Sequence, residues 1–223
     1  MYLFIKRFFD VVFALLALII LSPLLIPIVI FLKLTGEGYV FYFQERVGFK
    51  NKNFNILKFA TMLKNSPNMP GGYITVKKDP RLTPMGGFLR KSKINELPQL
   101  VNILIGDMSF VGPRPTMPVS FKVYPDDIKK VIYNVKPGLT GIGSIIFRDE
   151  ETLITEVKQK GGDVQDFYTN IITPYKSMAE KWYQKNFSFS TDLKILFLTA
   201  WGIIFPKSNL LFKVFSDLPA RTF

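Results

Sequence analysis

VVFALLALIILSPLLIPIVIFL, residues 11–32, carries no charged side chain. As a helix rising about 1.5 Å per residue it is long enough to cross a hydrocarbon core of about 30 Å. It is too long for the apolar region of a signal peptide, and no small-residue cleavage site follows it. Two membrane arrangements remain, a full span and a re-entrant hairpin. Ser22 and Pro23 stand near the middle, with Pro27 one turn later. Pro23 has no N–H for the carbonyl of Ile19 and its ring crowds that group, so a helix bends or breaks there. The Ser22 hydroxyl can take up a carbonyl that the kink releases. Flanking charge separates the two arrangements. Lys6 and Arg7 precede the run, while Lys33, Arg46, Lys50, Lys52 and Lys58 follow it. A simple span would deplete one flank of positive charge. Positive charge at both ends favours a helix–break–helix that enters and leaves one leaflet.

A second apolar run, DLKILFLTAWGIIFPK (192–207), is too short to cross a membrane. It reads either as a helix lying at the interface, with Trp201 at the boundary, or as an ordinary buried core helix. Composition agrees with a membrane surface. Lys and Arg number 29 against 17 Asp and Glu, a net +12, beside a hydrophobic fraction of 48%. Such a balance calls for an anionic partner. There is no histidine and no cysteine. Acid–base chemistry must therefore use carboxylates, lysine, tyrosine or water, and disulfides, thiol nucleophiles and zinc–thiolate sites are excluded. No nucleic-acid motif is visible, and arginines spaced through Gly/Pro loops suit a compact polyphosphate better than a duplex.

Between the apolar runs, GYVFYFQERVG and NFNILKFATM within 38–63 read as short strands. Residues 65–75 read as an exposed loop and 136–144 (KPGLTGIGS) as a turn-rich segment, whereas 150–184 is polar and helical. Pro98 is tolerated only in a first helical turn, so a helix starts near Asn95, with Leu97, Leu100, Val101 and Leu104 on one apolar face. Gly106 ends it. Asn95 and Glu96 at that N-terminus have two readings. Both side chains suit helix capping. Equally, Glu96 is a hard oxygen ligand for Mg²⁺ and the free N–H groups could face a phosphate. The loop that follows, GDMSFVGPRP (106–115), has Asp107 placed to accept backbone N–H bonds, and Pro113 and Pro115 to point Arg114 one way. Arg81, Arg90, Arg114 and Arg148 offer paired donors matched to phosphate oxygens. Lys58 alternates with apolar neighbours on a strand.

Taken together, IKRFFD (5–10), Ser22-Pro23, QERVG (44–48), KF-x-TM (58–62), DPRLT (79–83), LRKSKINELPQLVN (89–102), GDMSFVGPRP, KPGLTG (136–141) and NFSFSTDLKILF (186–197) resemble the bacterial sugar transferases, the monotopic phosphoglycosyl transferases. The resemblance covers nearly the whole chain. It implies transfer of a sugar 1-phosphate from a UDP-sugar to polyprenyl phosphate, releasing UMP, with Mg²⁺. The place implied is the bacterial cytoplasmic membrane, with the catalytic domain on its cytoplasmic face. The fold implied is α+β. Residues 1–36 form a re-entrant membrane hairpin broken at Ser22-Pro23. Residues 37–223 form a small cytosol-facing α/β catalytic domain with amphipathic interfacial helices, 192–206 contacting membrane lipid. Assembly is left between monomer and homodimer. The family's catalytic Asp-Glu pair maps to Asn95-Glu96, with Glu96 as metal ligand. Lys58 maps to the family lysine, and Arg114 to the arginine of the Pro-Arg-Pro loop. Ala60 stands where relatives are often basic. An amide is too weak a nucleophile to form the family's phosphosugar–enzyme intermediate. Three mechanisms follow: direct attack by the acceptor, Glu96 as nucleophile, or a catalytically silent member that binds the same ligands.

Overall fold

The computed structural model describes residues 2–69, 79–221 and 223. Helix α1 (Tyr2–Leu34) is continuous through Pro23 and Pro27. The expected break at Ser22-Pro23 is therefore not an interruption of the helix. The Ser22 hydroxyl donates to the Ile19 carbonyl at 2.8 Å, the acceptor that Pro23 leaves without an N–H, so the turn stays satisfied. Ala14, Ala17, Leu18, Leu21, Leu25, Ile28 and Leu32 recur every three or four residues and pack against the rest of the chain. Contact thus runs along most of the helix. Its other faces leave Phe4, Phe8, Ile19, Ile20, Ile26 and Ile30 exposed. The first turns are anchored by polar contacts. Tyr2 and Lys6 donate to the Asp192 carboxylate, which also accepts from the Tyr183 hydroxyl at 2.7 Å. Arg7 donates to the carbonyls of Ile103 and Leu104.

Strands β1 (Phe41–Val47) and β2 (Asn53–Phe59) form an antiparallel hairpin in which Tyr42 faces Lys58, as their alternating residues lead one to expect. After α2 (Gly86–Lys91), a 3₁₀ turn at Ile94–Glu96 leads into α3 (Gln99–Ile105). Gly106, in the left-handed region at φ +97°, ends α3. The buried Asn102 side chain acts as a third strand would: its Oδ1 accepts from Leu57 N–H at 2.9 Å and its Nδ2 donates to Asn55 C=O at 2.8 Å. The apolar face of α3 differs from the one its spacing predicts. Leu100 and Ile103 are buried, while Val101 and Ile105 look outward. A run that is apolar nearly all round does not select a face by period; the docking of Asn102 does.

Strand β3 (Ser109–Val111) is followed by α4 (Pro118–Phe121) and α5 (Asp126–Lys129), then pairs in parallel with β4 (Gly138–Thr140). The turn-rich reading of 136–144 therefore misses both β4 and the start of α6 (Ile142–Ile146). Glycines explain the miss. A Cβ on Gly141 would stand 2.0 Å from the Gly112 carbonyl oxygen, and one on Gly138 would stand 2.2 Å from Gly112 N. Close backbone approach, not turning, needs them. Helices α7 (Glu150–Gln159), α8 (Val164–Phe167) and α9 (Thr173–Lys185) confirm the polar helical stretch. The loop expected over 65–75 lies within the described residues only as far as 69, where Ser66–Asn68 makes a 3₁₀ turn.

Helix α10 (Phe189–Ile204) unites the two readings of its segment. Ile195 and Leu198 join the main core with Ile142, Ile172 and Tyr183, while Leu193, Phe197, Ile203 and Ile204 are exposed. Helix α11 (Leu210–Val214) closes that core through Leu211. The chain is thus α+β: a long apolar helix on a mostly helical domain with, among the described residues, two small sheets.

Replacing Asn102 by Leu keeps the volume but leaves Leu57 N–H and Asn55 C=O without partners. The expected loss is about 1–3 kcal/mol for each group that stays dry, read as a lower unfolding midpoint in detergent. Asn102→Asp, which keeps the acceptor but not the donor, falls between.

Candidate active site

The hairpin and α3 meet at Glu96. Its carboxylate Oε1 lies 3.6 Å from Lys58 Nζ on β2 and 3.3 Å from Arg114 Nη2 in the loop after β3. Burial works against the charged form of Glu96. Arg114, Lys58 and Lys93 outweigh it and hold the carboxyl well below the usual range. Burial likewise pushes the Lys58 ammonium down to about 8. Arg46, Arg114 and Arg90 add to that fall and Glu96 opposes it. Arg46, which the sequence reading left inside a strand motif, is a member of this cluster. It donates to Gln44 at 2.6 Å, yet its buried Nε has no partner. Burial and the neighbouring Arg114 lower it to about 10.

Asn95 is buried beside Glu96 in the 3₁₀ turn, and its Oδ1 accepts no hydrogen bond. It is therefore not a helix cap; the turn places it before α3, whose N-cap position is Pro98. Asn95 Oδ1 and Arg46 Nε are thus a buried acceptor and a buried donor with no partner among the described residues.

The Pro-Arg-Pro loop is held on several sides. Pro113 and Pro115 are buried while Arg114 between them is exposed. Pro113 C=O accepts from Gly138 N–H, and Arg114 C=O accepts from the Tyr133 hydroxyl at 2.9 Å. Glu180 on α9 accepts from Arg114 N–H at 3.4 Å. Burial pushes the Glu180 carboxyl up to about 8, and its Oε2 is unpartnered. No sequence signal marks Glu180 within its polar helix.

Three expected site residues stand elsewhere. Arg81 is buried and paired with Asp79 through two contacts, at 2.8 and 2.6 Å, so it secures the DPRLT turn instead of facing a phosphate. Arg148 rests against α10 at Gly202, on a cavity that shares no lining residue with the Glu96 cluster. Asp107 accepts no backbone N–H; its charge acts on Lys136. The loop-holding carboxylate is Asp10 of α1, which accepts from Ser109 Oγ at 3.1 Å and Phe110 N–H at 3.0 Å. Among the described residues, no group of three His, Cys, Asp or Glu converges as a metal cage. Of the residues here, the Glu96 carboxylate is the hard oxygen donor of the kind Mg²⁺ takes, an ion that uses few protein oxygens and completes its shell with water and phosphate.

Anion binding should depend on the Lys58 ammonium. Pyrophosphate affinity, followed by calorimetry, is expected to weaken as pH rises through about 8, approaching tenfold per unit where the free amine dominates. In Lys58→Arg it should stay level to about pH 10.

The chain matches the family model described as bacterial sugar transferase over residues 1–206. It is 36% identical over 208 residues to the exopolysaccharide production protein ExoY of Sinorhizobium fredii, covering 87% of this chain and 83% of that protein. It is 34% identical to the undecaprenyl-phosphate galactose phosphotransferase of Salmonella typhimurium, over 88% of this chain and 40% of that one. It is also 34% identical to an Aeromonas hydrophila UDP-N-acetylgalactosamine-undecaprenyl-phosphate N-acetylgalactosaminephosphotransferase, over 91% of this chain and 44% of that one. The chain thus spans most of ExoY but under half of the two phosphotransferases. With this match running from α1 to the end of α10, the chain belongs to the bacterial sugar transferase family.

Proposed function

We propose that this protein transfers a sugar 1-phosphate from a UDP-sugar to polyprenyl phosphate, releasing UMP, as the first membrane step of polysaccharide or glycoconjugate assembly. The observation that carries the reading is the half-buried Glu96 held between Lys58 and Arg114, with the unpartnered Nε of Arg46 in the same charge cluster and Asn95 next to Glu96 in the chain. Such a cluster of positive charge around one acid matches a diphosphate, whose transfer depends chiefly on positioning and electrostatics. The printed names of two relatives, which include undecaprenyl phosphate, support the acceptor.

Direct transfer suits these residues best. An acceptor phosphate oxygen attacks the sugar-bearing phosphorus. The bond from that phosphorus to the bridging oxygen breaks, and UMP leaves with that oxygen. Lys58, Arg114 and Arg46 offset the charge that gathers on the phosphates. The Asn95 amide has no nucleophilic oxygen to offer. Glu96, held ionised by two cations, is a poor nucleophile and a good metal ligand. Mg²⁺ bound by Glu96 would neutralise phosphate charge. The retained ion-pair geometry speaks against the silent alternative.

The packing of α1 supports association with a single leaflet. Both its ends, at Lys6 and at Leu32, pack on the same domain, which a helix crossing alone could not do. Its exposed apolar faces, together with those of α10, give a surface that a membrane would cover. The positive charge on both flanks of the apolar run supports a cytoplasmic position for that domain.

UMP release from a panel of UDP-sugars with polyprenyl phosphate and Mg²⁺ tests this. The native protein should need both substrates, and Glu96→Gln should lower turnover at least about 100-fold. Asn95→Asp should bind Mg²⁺ more tightly, having a second carboxylate. A native protein without turnover, with activity appearing in Asn95→Asp, would overturn the proposal in favour of a silent ligand binder.

A further inference from the structure

We propose that the cavity at the C-terminal end of α10 binds an anionic glycerophospholipid. This site is separate from the Glu96 cluster and does not depend on the transferase reading. The cavity, about 550 Å³, lies between α6, the end of α10 and the segment running into α11. Arg148 and Lys207 both line it. Neither has an acidic partner among the described residues. A third cation there, Arg221, is already neutralised by both oxygens of Asp149, at 2.7 Å each. The lining therefore keeps two uncompensated positive charges.

The Arg148 guanidinium is placed by the sequence of α10. A Cβ on Gly202 would fall 1.9 Å from its Nη1, so the helix needs glycine at that position for the guanidinium to lie against it. Trp201 is fixed as well, its Nε1 donating to Ser208 Oγ at 2.9 Å. Trp201, Pro206, Lys207 and Ser208 are shared with an adjoining groove of about 520 Å³, which Ile204 and Phe205 extend. Ile204 and Phe205, which line it, are exposed.

A cationic cavity opening into an apolar groove complements a phosphate diester attached to a hydrocarbon chain. A soluble phosphate would use the cavity and leave the groove empty. A zwitterionic lipid would gain from the groove but little from two unpaired cations. The position at the exposed end of an apolar helix provides the lipid from the membrane itself.

Trp201 reports on occupancy, because the chain's other tryptophan, Trp182, is buried with its indole N–H bonded to Asp217. The full chain in detergent is titrated with phosphatidylglycerol or phosphatidylcholine brominated on the acyl chain. Quenching is counted only for the emission absent from Trp201→Phe. Phosphatidylglycerol should quench at a lower mole fraction than phosphatidylcholine, by about fivefold for each of the two cations. The two lipids should titrate together in the Arg148→Gln/Lys207→Gln double variant. Gly202→Ala keeps both charges but displaces the guanidinium, and should lose part of the preference. Equal quenching by the two lipids in the native protein would overturn the proposal, as would a preference that survives the double variant. Reversal by millimolar inorganic phosphate would reassign the cavity to a soluble phosphate compound. Displacement by equimolar polyprenyl phosphate would reassign it to the acceptor.

Discussion

The two hydrogen bonds of the Asn102 side chain hold together everything that matters for the site. They join a short helix to the edge of a two-stranded hairpin that is otherwise too small to fix anything. Lys58 comes from the hairpin and Glu96 from the turn before the helix. That junction, with the packing of Ile56 on Leu100 and Ile103 and of Phe59 with Ile94, sets their separation. The far end of the same helix is closed by Arg7, whose guanidinium takes two of the carbonyls that any helix leaves unpaired at its C-terminus. A helix of about 10 Å therefore ties the apolar N-terminal segment at one end to the charged cluster at the other.

Charge accounts for the form of that cluster. One carboxylate faces Lys58 and Arg114 directly, with Arg46, Arg90 and Lys93 close enough to shift the equilibria of the group. Burial is the main reason that Lys58 and Arg46 are lowered, and repulsion between the clustered cations adds to it. Such a site binds an anion partly by relieving its own repulsion. An amide at position 95 makes the cluster more positive by one charge than a carboxylate there would. Phosphates gain from that difference, while a covalent step at that residue is lost. Attraction for the substrates and nucleophilic power thus separate at a single side chain.

Much of this was legible in the sequence, for reasons that differ by residue. The hairpin, α3 and the helical stretch from Glu150 to Lys185 follow from local pattern. Glu96, Arg90 and Arg114 are marked by their residue types and turn neighbours, Lys58 by the family resemblance alone, and the structure brings them together. What stayed hidden depended on contacts distant in sequence. Arg81 and Arg114 look alike as arginines between turn residues, and only the buried Asp79 decides that the first is structural. Asp107 sits in the loop it was expected to hold, yet Asp10, about a hundred residues earlier, holds it. Period could not choose the inner face of α3 because Leu100 to Ile105 is apolar on nearly every side. Glu180 had no local mark at all, since its role is defined by the Arg114 N–H that it accepts.

The outward residues of α3 complete the physical account. Val101 and Ile105 are exposed on a helix whose first neighbour in sequence is the charged turn. In a protein surrounded by water they would lose apolar burial with no return. They stand on a short helix that packs against α1 and begins just after Glu96. A lipid phosphate lies at the boundary between headgroups and hydrocarbon, and it cannot be lifted far into water without exposing its chain. A site that acts on such a phosphate must bring its cations to that depth, so charge and apolar surface must meet within a few residues. Glu96, paired with Lys58 and Arg114, and the exposed Ile105 stand at the two ends of one such segment, with buried Asn102 between them.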